Sequence, residues 1–147
     1  MKLSTKGRYA VMAMVDLCNV TTGKPIALSD VAQRQEISLS YLEQLFGKLR
    51  RAGLVKSVRG PGGGYLLSRA ASEICISEVI LAVDEPISTT RCTKTEGCRS
   101  DNARCLTHEL WEALSEQIHL YLGSVSLDDV ATRKVISQAS AAIMAAE

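Results

Sequence analysis

Apolar side chains recur at helical spacing in the amino-terminal third of the chain. Lys6 to Asn19 carries one apolar stripe, and Leu39 to Arg51 carries another. The second stripe occupies positions i, i+3, i+4 and i+7, namely Leu42, Leu45, Phe46 and Leu49. Between the two, Leu28-Ser29-Asp30 offers a polar start for a short helix that extends through Arg34. A short helix, a tight turn and a longer helix predict a helix-turn-helix.

The spacing of apolar residues changes after Gly53. Two β-rich runs, Leu54 to Val58 and Tyr65 to Leu67, flank a loop with four glycines and one proline. This pattern predicts a β-hairpin wing with Arg59 at its base. A glycine-rich loop could instead hold nucleotide phosphates, but neither a Gly-Lys-Ser/Thr ending nor a Gly-x-Gly-x-x-Gly pattern is present, so the wing is favoured.

The carboxyl-terminal half combines predicted helices with one long aperiodic segment. Ser77 to Asp84 predicts a short apolar helix, and the next twenty residues, Glu85 to Arg104, show no periodicity. A long helix is predicted from Cys105 to Leu122, followed by a further helix from Leu127 to Arg133. The apolar stripe of the long helix is too broad for a small domain to cover, which favours pairing with a partner helix.

These elements predict a mainly α fold: a winged helix-turn-helix domain with a small β-hairpin wing, plus a long dimerisation helix. The predicted units are residues 1–84 for the DNA-binding domain, 85–104 for a ligand-carrying loop, and 105–147 for the dimerisation helix and a carboxyl-terminal helical segment.

Composition agrees with one folded domain and an attached arm. The chain has 147 residues, of which 46% are hydrophobic and 22% are charged. Its longest apolar run, Ala10 to Val15, is too short to cross a bilayer, and the first residues lack the apolar region of a signal peptide. We therefore expect a soluble, cytoplasmic protein.

Charge is unevenly distributed along the chain. Residues 1–70 contain 11 Lys or Arg against 4 Asp or Glu, whereas residues 71–147 contain 6 against 12. A basic half that also carries a helix-turn-helix and a wing indicates double-stranded DNA as partner. An accidental charge dipole is the alternative explanation.

The second helix of the motif provides candidate base contacts. Ser40, Glu43 and Gln44 share its polar face; Gln pairs with adenine, and Glu accepts from the cytosine amino group. Phosphate or minor-groove contacts are expected from five basic side chains: Lys6, Arg8, Lys48, Arg50 and Arg59. An ordinary solvated helix face is the alternative for each polar position.

The five cysteines fall into two groups. Cys18 and Cys75 lie among apolar residues and are expected in the core, and the odd count argues against a disulfide framework. The other three form a pattern with one histidine, Cys92-x5-Cys98-x6-Cys105-x2-His108. This spacing matches neither the usual zinc knuckles nor the common ferredoxin patterns, so it predicts metal binding with the metal left open. No oxyanion or substrate-pocket signature accompanies the Cys–His pair, so we expect no enzyme activity.

Several strings together resemble one bacterial family over roughly residues 1–133. They are MKLSTKGRYAVMAM, ISLSYLEQLFGKLRRAGLV, SVRGPGGGYLL, EVILAVDE and RC…GC…CLTHELW. The chain is similar to the iron–sulfur cluster regulators of the winged helix-turn-helix family of transcription repressors, a family that also contains nitric-oxide and cysteine-metabolism regulators. The wing string and the CLTH start are the specific parts of the resemblance.

The resemblance implies a function and a ligand set. It implies a [2Fe–2S] cluster held by Cys92, Cys98, Cys105 and His108, in a homodimer that reads a pseudo-palindromic operator and represses cluster-assembly genes. It also implies that Glu43 discriminates between operator classes when the cluster is absent. The family pattern has five residues between its second and third cysteines, whereas this chain has six.

Two alternatives to this function remain open. One is a redox or nitric-oxide sensor of the same fold. The nitric-oxide branch resembles a three-cysteine [4Fe–4S] site completed by a carboxylate near the start of the first helix, where this chain has Arg8. The other alternative is an electron carrier or interaction module that contains zinc or a cluster. A module of that kind needs neither a wing nor a basic half.

Overall fold

The computed structural model describes residues 3–20, 23–90, 98–101 and 103–135. Six α-helices, two strands and a 3-10 turn lie within these ranges: α1 (Thr5–Asn19), α2 (Leu28–Gln35), α3 (Leu39–Arg51), β1 (Val55–Val58), β2 (Gly64–Leu67), the turn Ala71–Glu73, α4 (Ile76–Ala82), α5 (His108–Ser124) and α6 (Leu127–Ala131). The predicted mainly α, winged helix-turn-helix fold is confirmed. In the ranges described, no helix has the length and apolar character needed to cross a membrane.

The hydrophobic core lies where α1 packs against α3, α4 and α6. Its largest fully buried side chains include Met14 of α1 and Phe46 of α3. Val125 and Leu127 are also buried in this core, although the predicted units assigned them to the dimerisation segment. The chain therefore returns to the amino-terminal core after α5, and α6 covers α1 there.

The turn between α2 and α3 is short, and each of its residues has a defined structural role. Glu36 ends α2 in the left-handed region, with φ at 53°. Ile37 is buried, which pins the turn to the core, and Ser38 is the N-cap residue of α3. The result is the predicted helix-turn-helix, with α3 at its predicted bounds.

The wing is an antiparallel hairpin in which Val55 pairs with Leu67 and Val58 with Gly64. Its returning strand also contacts the segment before α2: Ile26 N donates to Tyr65 O at 3.0 Å, and Tyr65 N donates to Ile26 O at 2.8 Å. A Cβ at position 64 would lie 2.2 Å from the Ile26 carbonyl oxygen. Only glycine fits this close approach, which fastens the wing to the body.

Several helix ends and one burial differ from the predictions. α4 spans Ile76–Ala82 and not Ser77 to Asp84, and α5 ends at Ser124 and not at Leu122. The long helix begins at His108 and not at Cys105, because His108 N donates to Cys105 O in a turn ahead of the N-cap residue Thr107. The last helix ends at Ala131, since Arg133 adopts a left-handed φ of 58°. Cys18 is buried as expected, whereas Cys75 stands half-buried as the N-cap residue of α4.

Candidate functional site

The polar face of α3 carries the predicted base-contacting residues. Ser40, Glu43 and Gln44 are exposed, while the apolar stripe of the same helix is buried in the core. At the start of the helix, the Ser38 and Ser40 hydroxyls are 3.0 Å apart. The helix therefore presents a continuous polar surface held rigidly by its buried side. Such a surface suits entry into a major groove.

Three of the predicted basic contacts are exposed around this surface. Arg8 lies on α1, Arg50 on the last turn of α3, and Arg59 directly after β1. The Arg50 guanidinium donates to the Ser57 hydroxyl at 3.4 Å, which links α3 to the wing. The Tyr65 ring also contacts Phe46 edge-on, with centroids 5.0 Å apart. The wing is thus fixed to the helix that carries the polar surface.

The two remaining predicted contacts, Lys6 and Lys48, both reach Asp84. Lys48 Nζ lies 2.8 Å from Asp84 Oδ2, and Lys6 Nζ donates to the Asp84 backbone carbonyl at 3.4 Å. The hydrogen bond and positive charge of Lys48, with further contributions from Lys6 and Arg51, lower the pKa of Asp84. Both lysines therefore already have an acceptor within the protein.

Glu85, the next residue, holds the start of α1. Its carboxylate is buried and accepts from Ser4 N and Ser4 Oγ, both at 2.5 Å, and from Gly7 N at 2.7 Å. Burial alone would raise the pKa of Glu85, but these hydrogen bonds and the nearby Lys6 charge outweigh burial and lower it. A Cβ on Gly7 would approach Glu85 Oε2 to 2.5 Å, so glycine at this position permits the contact.

Two of the candidate metal ligands, Cys98 and His108, are in contact at the start of α5. His108, the first residue of that helix, is buried, and its Nδ1 lies 3.0 Å from Cys98 Sγ. Its Nε2 lies 3.9 Å from Glu112 Oε2, one turn along the helix. This separation exceeds hydrogen-bond distance. The short contact of the ring is therefore the one that Nδ1 makes with the cysteine.

The loop between Cys98 and Cys105 folds back on itself. The Cys98 and Arg99 amides donate to the Ala103 carbonyl at 3.0 and 3.2 Å. Cys105 is half-buried, and its Sγ lies 3.7 Å from Thr107 Oγ1. Cys92, the fourth predicted ligand, lies outside the described residues. Within the described part, no three His, Cys, Asp or Glu side chains form a group that could hold a metal ion.

The segment that leads toward Cys92 is anchored on α5. Thr89 N donates to Ser115 Oγ at 3.0 Å, and Thr89 Oγ1 donates to the Trp111 carbonyl at 2.9 Å. Trp111 Nε1 in turn donates to Thr107 Oγ1 at 3.1 Å. These bonds bring the chain at residue 89 to the same helix that begins with His108.

Four residues that organise the site are not evident from sequence patterns: Asp84, Glu85, Gly7 and Tyr65. Their contacts join residues far apart in the chain, 78 or more positions for those of Glu85, so no local pattern reports them. The available signal was two successive acidic residues directly after an apolar helix in EVILAVDE.

One face of α5 is apolar and open to solvent in the single chain. Leu110 is 59% exposed and Tyr121 is 51% exposed on this face, and Trp111 and Leu120, which flank it on opposite sides, are also exposed. Of the residues in α5, only His108 is buried. This exposure agrees with the sequence expectation that the helix needs a partner.

Comparison with known proteins gives consistent matches across the chain. The family described as Rrf2, iron-dependent transcriptional regulator, matches residues 3–133. An HTH-type transcriptional regulator IscR from Xenorhabdus nematophila is 57% identical over 130 residues, which cover 88% of this chain and 79% of that protein.

Two solved structures share the fold. CymR, the global cysteine regulator of B. subtilis, has a TM-score of 0.75 and 35% identity, with 90% of this chain and 98% of that chain covered. IscR of T. potens has a TM-score of 0.72 and 36% identity, with 91% and 88% covered.

Proposed function

The chain belongs to the Rrf2 family and is a DNA-binding transcriptional regulator, and from this premise we propose that it senses iron–sulfur cluster status. The observation that carries the proposal is the 3.0 Å contact between Cys98 Sγ and His108 Nδ1 at the start of α5. In this function the protein acts in the cytoplasm, represses cluster-assembly genes and catalyses no reaction.

The proposed ligands of a [2Fe–2S] cluster are Cys92, Cys98, Cys105 and His108. The donor chemistry fits, because thiolates and an imidazole are established ligands of such clusters. When bound, the cluster would supply iron that links ligands from separate parts of the chain. Loss of the cluster would free those ligands from one another. The chain's own residues prepare the site: α5 begins with His108 in contact with Cys98, and Thr89 anchors the incoming segment on α5.

The proposed DNA interface is formed by α3, the wing and the start of α1. Ser40, Glu43 and Gln44 contact base edges in the major groove. The surrounding basic side chains contact phosphates or the minor groove: Lys6, Arg8, Lys48, Arg50 and Arg59. The exposure of Arg8, Arg50 and Arg59, together with the polar face of α3, supports this assignment.

The proposed assembly is a homodimer formed through α5. Leu110 and Tyr121 are exposed on the same side of this helix, and a second copy of the same face would cover them. Two-fold symmetry then places two α3 helices on a pseudo-palindromic operator. Because His108 begins the same helix, the cluster site lies next to the proposed dimer interface.

Anaerobic purification tests the cluster directly. We expect iron and acid-labile sulfide in equal amounts, with visible absorption that is lost in Cys98→Ala and His108→Ala. Cys75→Ala is the matched control, because Cys75 caps α4 and should leave the cluster in place. Stoichiometric zinc without sulfide would overturn the cluster and favour a zinc protein. A four-iron stoichiometry would favour the nitric-oxide-sensing alternative.

A DNA-binding assay separates the regulator from an electron carrier. We expect the purified protein to select a duplex from a random-sequence pool and to bind it with an affinity that falls as salt rises. The Gln44→Ala variant should lose selectivity at one base position in each half-site, and a cluster-binding protein with no duplex selectivity would contradict the proposal.

A further inference from the structure

Asp84 is the point where basic side chains from two elements converge. Lys48 of α3 binds its carboxylate at 2.8 Å, Lys6 of α1 donates to its carbonyl, and Arg51 adds a third positive charge nearby. Lys6 and Lys48 belong to the proposed set of DNA phosphate contacts. One acidic residue thus occupies two cationic groups that the DNA would use.

The position of Asp84 is fixed by its neighbours along the chain. Glu85 is buried and holds three hydrogen bonds from Ser4 and Gly7, so the backbone at 84–85 is tied to the start of α1. Asp84 itself lies two residues after the end of α4 and has a left-handed φ of 57°. Asp and Asn adopt this conformation more readily than most residues. The backbone that carries the Asp84 carboxylate is therefore held in place beside Lys48.

The surface around this contact is accessible to a phosphate group. An open depression of about 380 Å³ lies between α3 and α4. It is lined by Lys48, Arg51, Ala52, Leu81, Ala82 and Asp84. The Asp84 side chain is 75% exposed and that of Lys48 is 30% exposed, so both groups of the ion pair face solvent.

We propose that the Asp84 carboxylate is an internal counter-ion which competes with DNA phosphates for Lys48 and so limits the electrostatic part of DNA affinity. The proposal rests on the proposed DNA-binding role of α3 and α1. A carboxylate and a phosphate oxygen make the same charge-assisted bond to an ammonium group, so they compete for it. Phosphate contacts contribute to specific and non-specific complexes alike, so the competition lowers the electrostatic part of both, and it is seen most directly in non-specific binding, which is almost entirely electrostatic.

The test variant is Asp84→Asn, because Asn keeps the left-handed backbone and removes only the charge. An exposed ion pair contributes little in water, so we expect affinity for a random-sequence duplex to rise by roughly twofold to fivefold at low salt. The slope of log affinity against log salt should steepen by about one unit when Lys48 gains a phosphate. Glu73→Gln is the matched control: it changes net charge equally, at an exposed residue of the 3-10 turn.

A double-mutant cycle isolates the competition from general charge effects. Lys48→Gln should weaken non-specific binding only slightly in the wild-type protein, where Asp84 already neutralises the lysine, and more strongly in the Asp84→Asn background. Denaturant unfolding of every variant checks that each is folded.

Three outcomes decide the question. Greater tightening by Asp84→Asn than by Glu73→Gln, together with a background-dependent Lys48 effect, supports the internal counter-ion. Equal effects of the two acidic substitutions, or the same Lys48 effect in both backgrounds, would overturn it while leaving DNA binding intact. A wild-type protein that binds no duplex at any salt concentration would instead reject the proposed function itself.

Discussion

Glu85 illustrates how one side chain can organise residues that are distant in sequence. Its buried carboxylate takes the place that water or a local cap would take at the start of α1, and it satisfies the backbone amides of Ser4 and Gly7. Ser4 has a double role, because its hydroxyl accepts from Lys6 N at 3.2 Å while donating to Glu85. A negative charge at this helix end is also favoured by the helix dipole.

The first prediction concerns Glu85→Gln. We expect a loss of about 1–3 kcal/mol in the free energy of unfolding at pH 7, because the amide cannot accept all three hydrogen bonds. The pKa of Glu85 is lowered from its ordinary value of 4.5, so its stabilisation is present above that pH and is lost as pH falls through the lower, folded-state pKa. Urea unfolding at pH 7 and below pH 4 should therefore show the gap between wild type and variant shrinking in acid. A constant gap would contradict the assignment.

The second prediction concerns Cys18. Burial, with a smaller effect of Asp128, raises the pKa of this thiol to about 11, and its Sγ donates to the Met14 carbonyl at 3.2 Å. Because only the thiolate reacts, we expect Cys18 to alkylate at least about 100-fold more slowly than an ordinary cysteine. Mass-spectrometric mapping after iodoacetamide treatment measures this, with urea-unfolded protein as the control. Labelling at equal rates in the folded and unfolded protein would show that the site is open.

At the scale of elements, local patterns predicted the helices well and their ends less well. α3 has its predicted bounds because its four-residue apolar stripe and the preceding turn are both local features. The start of α5 was predicted wrong by three residues, because Cys105 and Leu106 continue an apparent helical pattern ahead of the N-cap residue Thr107. The anchoring of the wing by Ile26 and Phe46 depends on tertiary packing, which periodicity does not report.

The same distinction applies to the candidate site. Cys98 and His108 were grouped correctly because they are only ten positions apart, and the structure brings them into contact. Asp84 was missed because its lysine partners lie 36 and 78 positions away. Charge counts along the chain identified the basic amino-terminal half. They did not show that Asp84, from the other half, lies against the lysines of that basic half.

The third prediction concerns Glu43 on the exposed face of α3. A carboxylate there repels phosphates and finds a donor only where the groove offers a cytosine amino group. We expect Glu43→Ala to let cluster-free protein bind operators that normally require the cluster, with little change at operators bound by both forms. Titration of both operator classes at one fixed salt concentration measures this. Parallel changes at both classes would mean that Glu43 adjusts charge without selecting sequence.

The fourth prediction concerns the wing. Arg59 is exposed after β1, so Arg59→Ala should weaken specific DNA binding by roughly 1–3 kcal/mol if the side chain reads a groove. If it only neutralises a phosphate, the salt slope should fall by about one unit. Binding curves at several salt concentrations distinguish the two roles. Affinity that does not change at any salt concentration would show that the wing stays off the DNA.

At the scale of the whole molecule, the chain consists of a compact core and one long helix, α5, that contributes little to that core. α1, α2, α3, α4 and α6 contribute most of the buried residues, whereas α5 contributes only His108. Four of the ten exposed large hydrophobic side chains in the described ranges lie on α5, and they include Leu110 and Tyr121 of its apolar face.

The fifth prediction tests the homodimer proposed for this face. Leu110→Glu and Tyr121→Glu should shift the protein to monomer and reduce affinity for a two-half-site duplex, because a buried, unpaired carboxylate opposes association. His119→Glu is the control, since the exposed His119 lies on the opposite side of α5. Sedimentation equilibrium measures the association. A dimer retained by both apolar-face variants would place the interface elsewhere.

The return of the chain to the core after α5 has an evolutionary consequence. Ile76 N donates to the Val125 carbonyl and Leu127 N to the Ile74 carbonyl, each at 2.9 Å, so the segment between Ile76 and Val125 is clasped at both ends at the core. Within it, the described part of the loop between Glu85 and α5 contributes no buried side chain, so we expect insertions and ligand exchanges in that loop to leave the packing of α1, α3 and α6 unchanged. A lineage could therefore acquire a new sensing chemistry in this loop while inheriting its DNA-reading core intact. The additional residue between Cys98 and Cys105 is one such change in length, and it lies wholly inside the clasped segment.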